Sequence, residues 1–211
     1  MLELASSAFV LLFVVIDPIG LTPMFSALTS SESEVYRRKT AVKGVGIAGI
    51  IMVFFTLAGN ALLHYLNIKT AAFSIAGGLL LFLLAIDMVL ARQSGLRSTT
   101  LREQAEARTK TDISVFPLAI PMIAGPGSLT TILLLRNTPV FSLETFIILL
   151  VLGIILVLAL SMLLLAVRIT GLLGETGANV ITRVLGIILC ALAVQYVLNG
   201  LIASFPALSK G

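Results

Sequence analysis

The sequence predicts an all-α integral membrane protein: six transmembrane helices forming a 3+3 inverted-topology repeat, with helices 1 and 4 broken. Three observations lead there. The chain is 58% hydrophobic and only 11% charged over 211 residues, well short of the charge a soluble domain carries. Its apolar residues lie in runs long enough to cross about 30 Å of hydrocarbon, not at amphipathic spacing. Gly/Pro clusters interrupt the first and fourth runs at corresponding places.

The spans read as roughly 4–29, 41–66, 70–90, 113–136, 142–168 and 179–204. One membrane domain fills 1–211, with repeat one over 1–90, a cytoplasmic loop over 91–112 and repeat two over 113–211. The loop holds Arg92, Arg97, Arg102, Glu103, Glu106, Arg108, Lys110 and Asp112. It reads as a solvated connection with a helical turn or two around Leu101–Arg108. Glu3 stands where a signal peptide carries basic residues, and no small-x-small site follows the first run, so no cleaved leader is expected. Cys190 is the only cysteine, which excludes an intrachain disulfide and a cysteine metal site.

The net charge of +4 is a topology signal and not a nucleic-acid footprint. Eleven basic residues fall in connections 1–2, 3–4 and 5–6 (Arg37, Arg38, Lys39 and Lys43, the loop, then Arg168 and Arg183), against three on the other side (Lys69, Arg136, Lys210). The positive-inside rule puts the first set in the cytoplasm and both termini outside.

A shift of 108 positions brings Pro126 onto Pro18, Leu129 onto Leu21, Thr130 onto Thr22, Gly186 onto Gly78, Ala193 onto Ala85, Gln195 onto Asp87 and Gly125 onto Asp17. Each half has three spans, so the halves cross in opposite senses, an architecture common in secondary transporters.

The first break is Asp17-Pro18-Ile19-Gly20-Leu21-Thr22-Pro23. Asp before Pro is a helix start, with the carboxylate as cap and Pro at the first helical position. A Pro kink with Asp17 satisfying freed amides accounts for the same residues. The functional reading is stronger because an intramembrane carboxylate is costly. The fourth span has Pro117 and Pro121, then Gly125-Pro126-Gly127-Ser128-Leu129-Thr130-Thr131. The amides opening the half-helix behind this break form a positive dipole end suited to a carboxylate. A kink with small residues for close packing is the plainer alternative.

Paired breaks in equivalent positions are the best sequence pointer to a transporter site. The expected substrate site is Asp17, Pro18, Gly20, Thr22, Gly125, Pro126, Gly127, Ser128 and Thr130. Asp17 and Asp87 are the coupling-ion candidates. Asp87, near the end of span three and close to Arg92, also reads as an interfacial carboxylate. Gln195 reads as an interhelical hydrogen-bonding group, and Asn60, Asn199 and His64 as interfacial residues. No catalytic dyad, metal cluster or phosphate loop appears, so no enzyme, resident metal or cofactor is expected.

The segments Ile16–Phe25 and Pro117–Gly127 together resemble the MarC family of bacterial inner-membrane proteins. The likeness covers essentially the whole chain. Asp17, Pro18, Gly20 and Pro23 match the first motif, and Pro117, Pro121, Gly125, Pro126 and Gly127 the second. The resemblance implies a multi-pass protein of the bacterial inner membrane, related to neutral amino acid transporters for which glycine and alanine are typical substrates.

The reading is a secondary transporter of small neutral amino acids, coupled to H⁺ or Na⁺. The substrate carboxylate would meet amides around Gly127–Thr130, and Asp17 the ammonium group or coupling cation. The expected partners are that small molecule, membrane lipid and, if the chain self-associates, further copies of itself. A passive facilitator or channel would show polar rings along several spans, and a non-transporting scaffold would not need polar breaks in both repeats.

Overall fold

The computed structural model describes residues 1–91, 112–135 and 142–205. The turn expected around Leu101–Arg108, together with Arg92, Arg136 and Lys210, lies outside them. All regular structure among the described residues is helical. Five helices are long and apolar enough to cross a membrane, and six when one bent pair counts as a single span.

The first span comprises α1 (Leu2–Ile16) and α2 (Pro18–Leu28), joined through Asp17. Helix α3 (Glu34–Tyr65) starts behind Ser33, whose hydroxyl accepts from Tyr36 N at 3.2 Å. Its 32 residues extend about 48 Å at 1.5 Å per residue, more than the hydrocarbon needs. Arg37, Arg38, Lys39 and Lys43 therefore ride on helical turns and not in a connection starting the span at 41. The Ser33 cap begins the helix well before its apolar stretch. Helix α4 (Thr70–Leu90) ends at Ala91, in left-handed backbone at φ 52°.

The second half opens with α5 (Ser114–Ile123), whose turns are wide. Leu118 N donates to Ile113 O and Ala124 N to Ala119 O, five residues back each time. Phe116 and Ile120 have extended φ/ψ, and each precedes a proline joined by a cis bond. Helix α6 (Pro126–Leu135) follows at a 51° bend. Helix α7 (Leu143–Leu164) is capped by Ser142, and α8 (Ala166–Ser204) starts after Leu165 alone. The expected connection between spans five and six is thus mostly helical. Gly174, at φ 65° and ψ 170°, redirects α8 there, and the membrane-length part is Thr176–Ser204.

Helix α1 is central. Leu12 and Ile16 join a core with Phe25, Met52, Leu118 and Ile123, while Val14 and Val15 face a second core of Leu81, Leu84, Met88 and Leu189. Between helices in lipid there is no hydrophobic driving force, so close packing of small residues carries association. The α4–α8 contact shows how. Gly200 lies against Ala71 O, Gly78 against Ala193 O and Gly186 against Ala85 O; a Cβ on each glycine would come within 2.8, 2.7 and 3.1 Å of those carbonyls. The partners step by seven residues along both helices, in opposite directions. A seven-residue period keeps one seam facing its partner over several turns.

Candidate functional site

Asp17 is completely buried. Its backbone is left-handed, φ 45° and ψ 69°, a conformation that Asp and Asn tolerate better than other side chains with a Cβ. The conformation ends α1, whose Phe13 O accepts from Asp17 N, and starts α2. Oδ1 accepts from Gly20 N at 3.0 Å, which satisfies one free amide of α2. Oδ2 accepts from Thr182 Oγ1 of α8 at 2.8 Å. The carboxylate is both a local cap and a tie to a helix 165 residues away.

The second break lies beside the first. Gly127 packs against Val15, two residues before Asp17, and against Leu81 and Leu84 of α4. Gly125 and Ser128 are buried, while Pro126 at the bend is exposed. Ser128 Oγ donates a hydrogen bond to Ile123 O at 2.8 Å, spanning the bend. Thr130 is buried with its methyl against Gly77. Thr22, its mate in the first half, donates to Ile19 O at 2.7 Å. Pro18 is buried and Gly20 half-buried.

Asp87 does not join this layer. It is half-buried near the end of α4. Gln195 is exposed and donates from Nε2 to Asn199 Oδ1 at 2.8 Å.

One residue of the buried layer, Thr182, lies outside both breaks and escaped the reading of them. The shift of 108 aligns it with Ser74, and that matched pair of hydroxyls was the available signal. Ser74 also reaches across the halves, to Tyr196 O at 2.8 Å. Thr131, the last residue of the second break, belongs to the same layer. It is fully buried, and among the described residues its Oγ1 has no hydrogen-bond partner. A buried hydroxyl without a partner costs free energy unless something else satisfies it.

Outside the spans, Asp112 accepts from Ser114 N at 2.9 Å and Ser114 Oγ at 2.6 Å, and pairs with Lys43 of α3. The Lys43 ammonium, with the Ser114 bonds, holds the Asp112 carboxyl well below the usual carboxylate range. This contact fixes the entry to α5. Among the described residues no cluster of His, Cys, Asp or Glu could hold a metal ion.

Residues 2–205 match the family described as MarC family integral membrane protein. The chain is 34% identical to the UPF0056 membrane protein YvbG of Bacillus subtilis, over 96% of each chain. It is 35% identical to the UPF0056 inner membrane protein YhgN of Escherichia coli, over 92% of this chain and 94% of that one. An Archaeoglobus fulgidus UPF0056 membrane protein is 33% identical over 92% and 91%. No solved structure matches.

Proposed function

The chain belongs to the MarC family of integral membrane proteins, and we propose that it is a secondary transporter of glycine- or alanine-like zwitterions, driven by H⁺ or Na⁺ across the bacterial inner membrane. The observation that carries this reading is the buried carboxylate of Asp17, placed between two half-helices and beside the second break. A carboxylate at that depth is expensive, and ionisable groups inside membrane spans mark ion and substrate pathways. A zwitterion needs one anionic and one cationic partner. Asp17 offers the first, to an ammonium group or a coupling cation. The first amides of α6, those of Gly127 and Ser128, offer the second, while Leu129 N already donates to Gly125 O. The orphaned Thr131 hydroxyl adds an unfilled polar group to the same half-helix.

The 3+3 inverted repeat is part of the proposal. Helix α1 packs on α7 while α5 packs on α3, the exchange expected when halves interlock. The contacts Gly78–Ala193 and Gly186–Ala85 are interchanged by the 108-residue shift. Both termini are assigned to the periplasmic side on the basic-residue asymmetry. Reporter fusions after Gly211 and within 91–112 test that assignment, and a cytoplasmic C-terminus would sink it.

Counterflow of labelled alanine in proteoliposomes tests the function. Accumulation driven by unlabelled alanine, and uphill uptake under an imposed H⁺ or Na⁺ gradient, are expected. Downhill flux indifferent to any ion gradient would make the protein a passive facilitator. Absence of flux for glycine and alanine alike would defeat the substrate assignment.

A further inference from the structure

We propose that the cavity of about 430 Å³ where α2, the start of α3 and the α7–α8 corner meet binds the headgroup of an anionic phospholipid. The proposal goes beyond the transport reading and does not depend on it, since the cavity begins at Phe25 and includes none of the residues of either break.

The charges come first. Arg37 and Arg38 from the opening turn of α3 and Arg168 from α8 line the cavity, against one carboxylate, Glu34. Among the described residues none of the three guanidinium groups is ion-paired. Arg37 Nε is buried and has no hydrogen-bond partner there. Guanidinium groups bind phosphate through parallel N–H donors, and such charge-assisted bonds are stronger than neutral ones. The first amides of α3 add the positive end of a helix dipole to the same place.

The walls decide between a lipid and a soluble anion. Leu164, Leu165 and Val167 line the cavity and are 46%, 44% and 53% exposed. A free phosphate has no use for an apolar wall. A phospholipid brings a phosphate for the arginines and glycerol and acyl carbons for the leucines and valine. The cavity also lies at the ends of spans, on the side carrying the excess of basic residues, where lipid phosphates lie. Basic pockets between helices at that level suit anionic headgroups.

The test uses the full-length protein released from nanodiscs of equal phosphatidylglycerol and phosphatidylcholine, with retained lipid read by native mass spectrometry. Wild type should keep phosphatidylglycerol in preference, and millimolar inorganic phosphate should not displace it. The variant R37Q/R38Q/R168Q should lose the preference, by roughly fivefold per guanidinium at low salt, the equivalent of about 1 kcal/mol each. The single variant Arg38→Gln, altering an exposed side chain, should show a partial loss with unchanged elution, so a misfolded triple variant would not leave the matter undecided. Removing equal charge at residues that do not line the cavity, as K39Q/K69Q/R183Q, should leave the preference intact. Equal binding of both lipids by wild type, or an equal loss in that control, would overturn the site. Displacement by inorganic phosphate would show a soluble-anion site and overturn the lipid assignment.

Discussion

The two breaks occupy matching places in the halves, yet they are built from opposite chemistry. At the first, a charged side chain does the work: Asp17 takes a left-handed backbone, caps α2 and reaches Thr182. At the second there is no charge. Three prolines and Gly125 bend the chain, wide turns replace regular ones, and Ser128 closes the gap to Ile123 O. One break thus presents a carboxyl group and the other presents amides. Under the proposed transport function, breaks that differ in this way would suit the two ends of one dipolar ligand, which two identical breaks would not.

Removing the charge is the largest test of that contrast. Asp17→Asn keeps the size, tolerates left-handed backbone and still caps a helix. We expect alanine uptake to fall more than tenfold, with the variant inserted and its melting temperature within a few degrees of wild type. Normal uptake with normal ion dependence would reduce Asp17 to a cap.

The second break is probed by bulk. A Cβ on Gly127 would lie 2.6 Å from Leu84 Cδ2, the end of a flexible side chain, and 3.3 Å from Val15 Cγ1. Gly127→Ala should therefore be accommodated by rotation of Leu84 and retain most uptake. Gly127→Val crowds both neighbours, costs about 1–3 kcal/mol, and should reduce uptake severalfold. Equal behaviour of the two variants would mean that closeness at Gly127 does not matter.

Hydroxyl deletions sharpen the contrast further. Thr182→Val removes the hydroxyl that donates to Asp17 Oδ2 and should destabilise by about 1 kcal/mol, with Thr182→Ser restoring stability and uptake. Thr131→Val removes a hydroxyl that has no partner among the described residues, so thermal stability should hold or rise. A fall in alanine affinity in that stable variant is the expected sign of ligand contact, and unchanged affinity would remove Thr131 from the site.

The smallest effect concerns the entry to α5. The Asp112 carboxyl is held below its ordinary value by Lys43 and Ser114, so its contribution is present above the ordinary carboxylate range and fades as pH falls through the lowered value. Melting temperature should be flat in this respect between pH 5 and 8. Because the pair is half exposed, Asp112→Asn should cost about 1 kcal/mol or less. A larger loss would show that this contact organises the second break.

Helix existence was legible because spans of this hydrophobicity have few alternatives in lipid. The bend before α6 was legible because Pro and Gly act on the backbone locally. Thr182 was not, because its role depends on which face of α8 meets α1 and α2, a tertiary fact. The helical character of Arg37–Lys43 was hidden because hydropathy marks where lipid ends, not where hydrogen bonding ends. The α4–α8 seam was written in the chain as Ala71, Gly78 and Ala85 against Gly186, Ala193 and Gly200, but a seven-residue period of small residues is faint within runs of leucine.

Mechanically, that seam is a spline. Its three teeth span fourteen residues of each helix, about 21 Å at 1.5 Å per residue, and each tooth seats a glycine against a carbonyl of the opposite backbone. A Cβ on any of the three glycines would crowd that carbonyl. The pair is therefore closely interlocked along its length. If the protein alternates between states as proposed, we expect α4 and α8 to move together as a frame for the jointed helices α1–α2 and α5–α6.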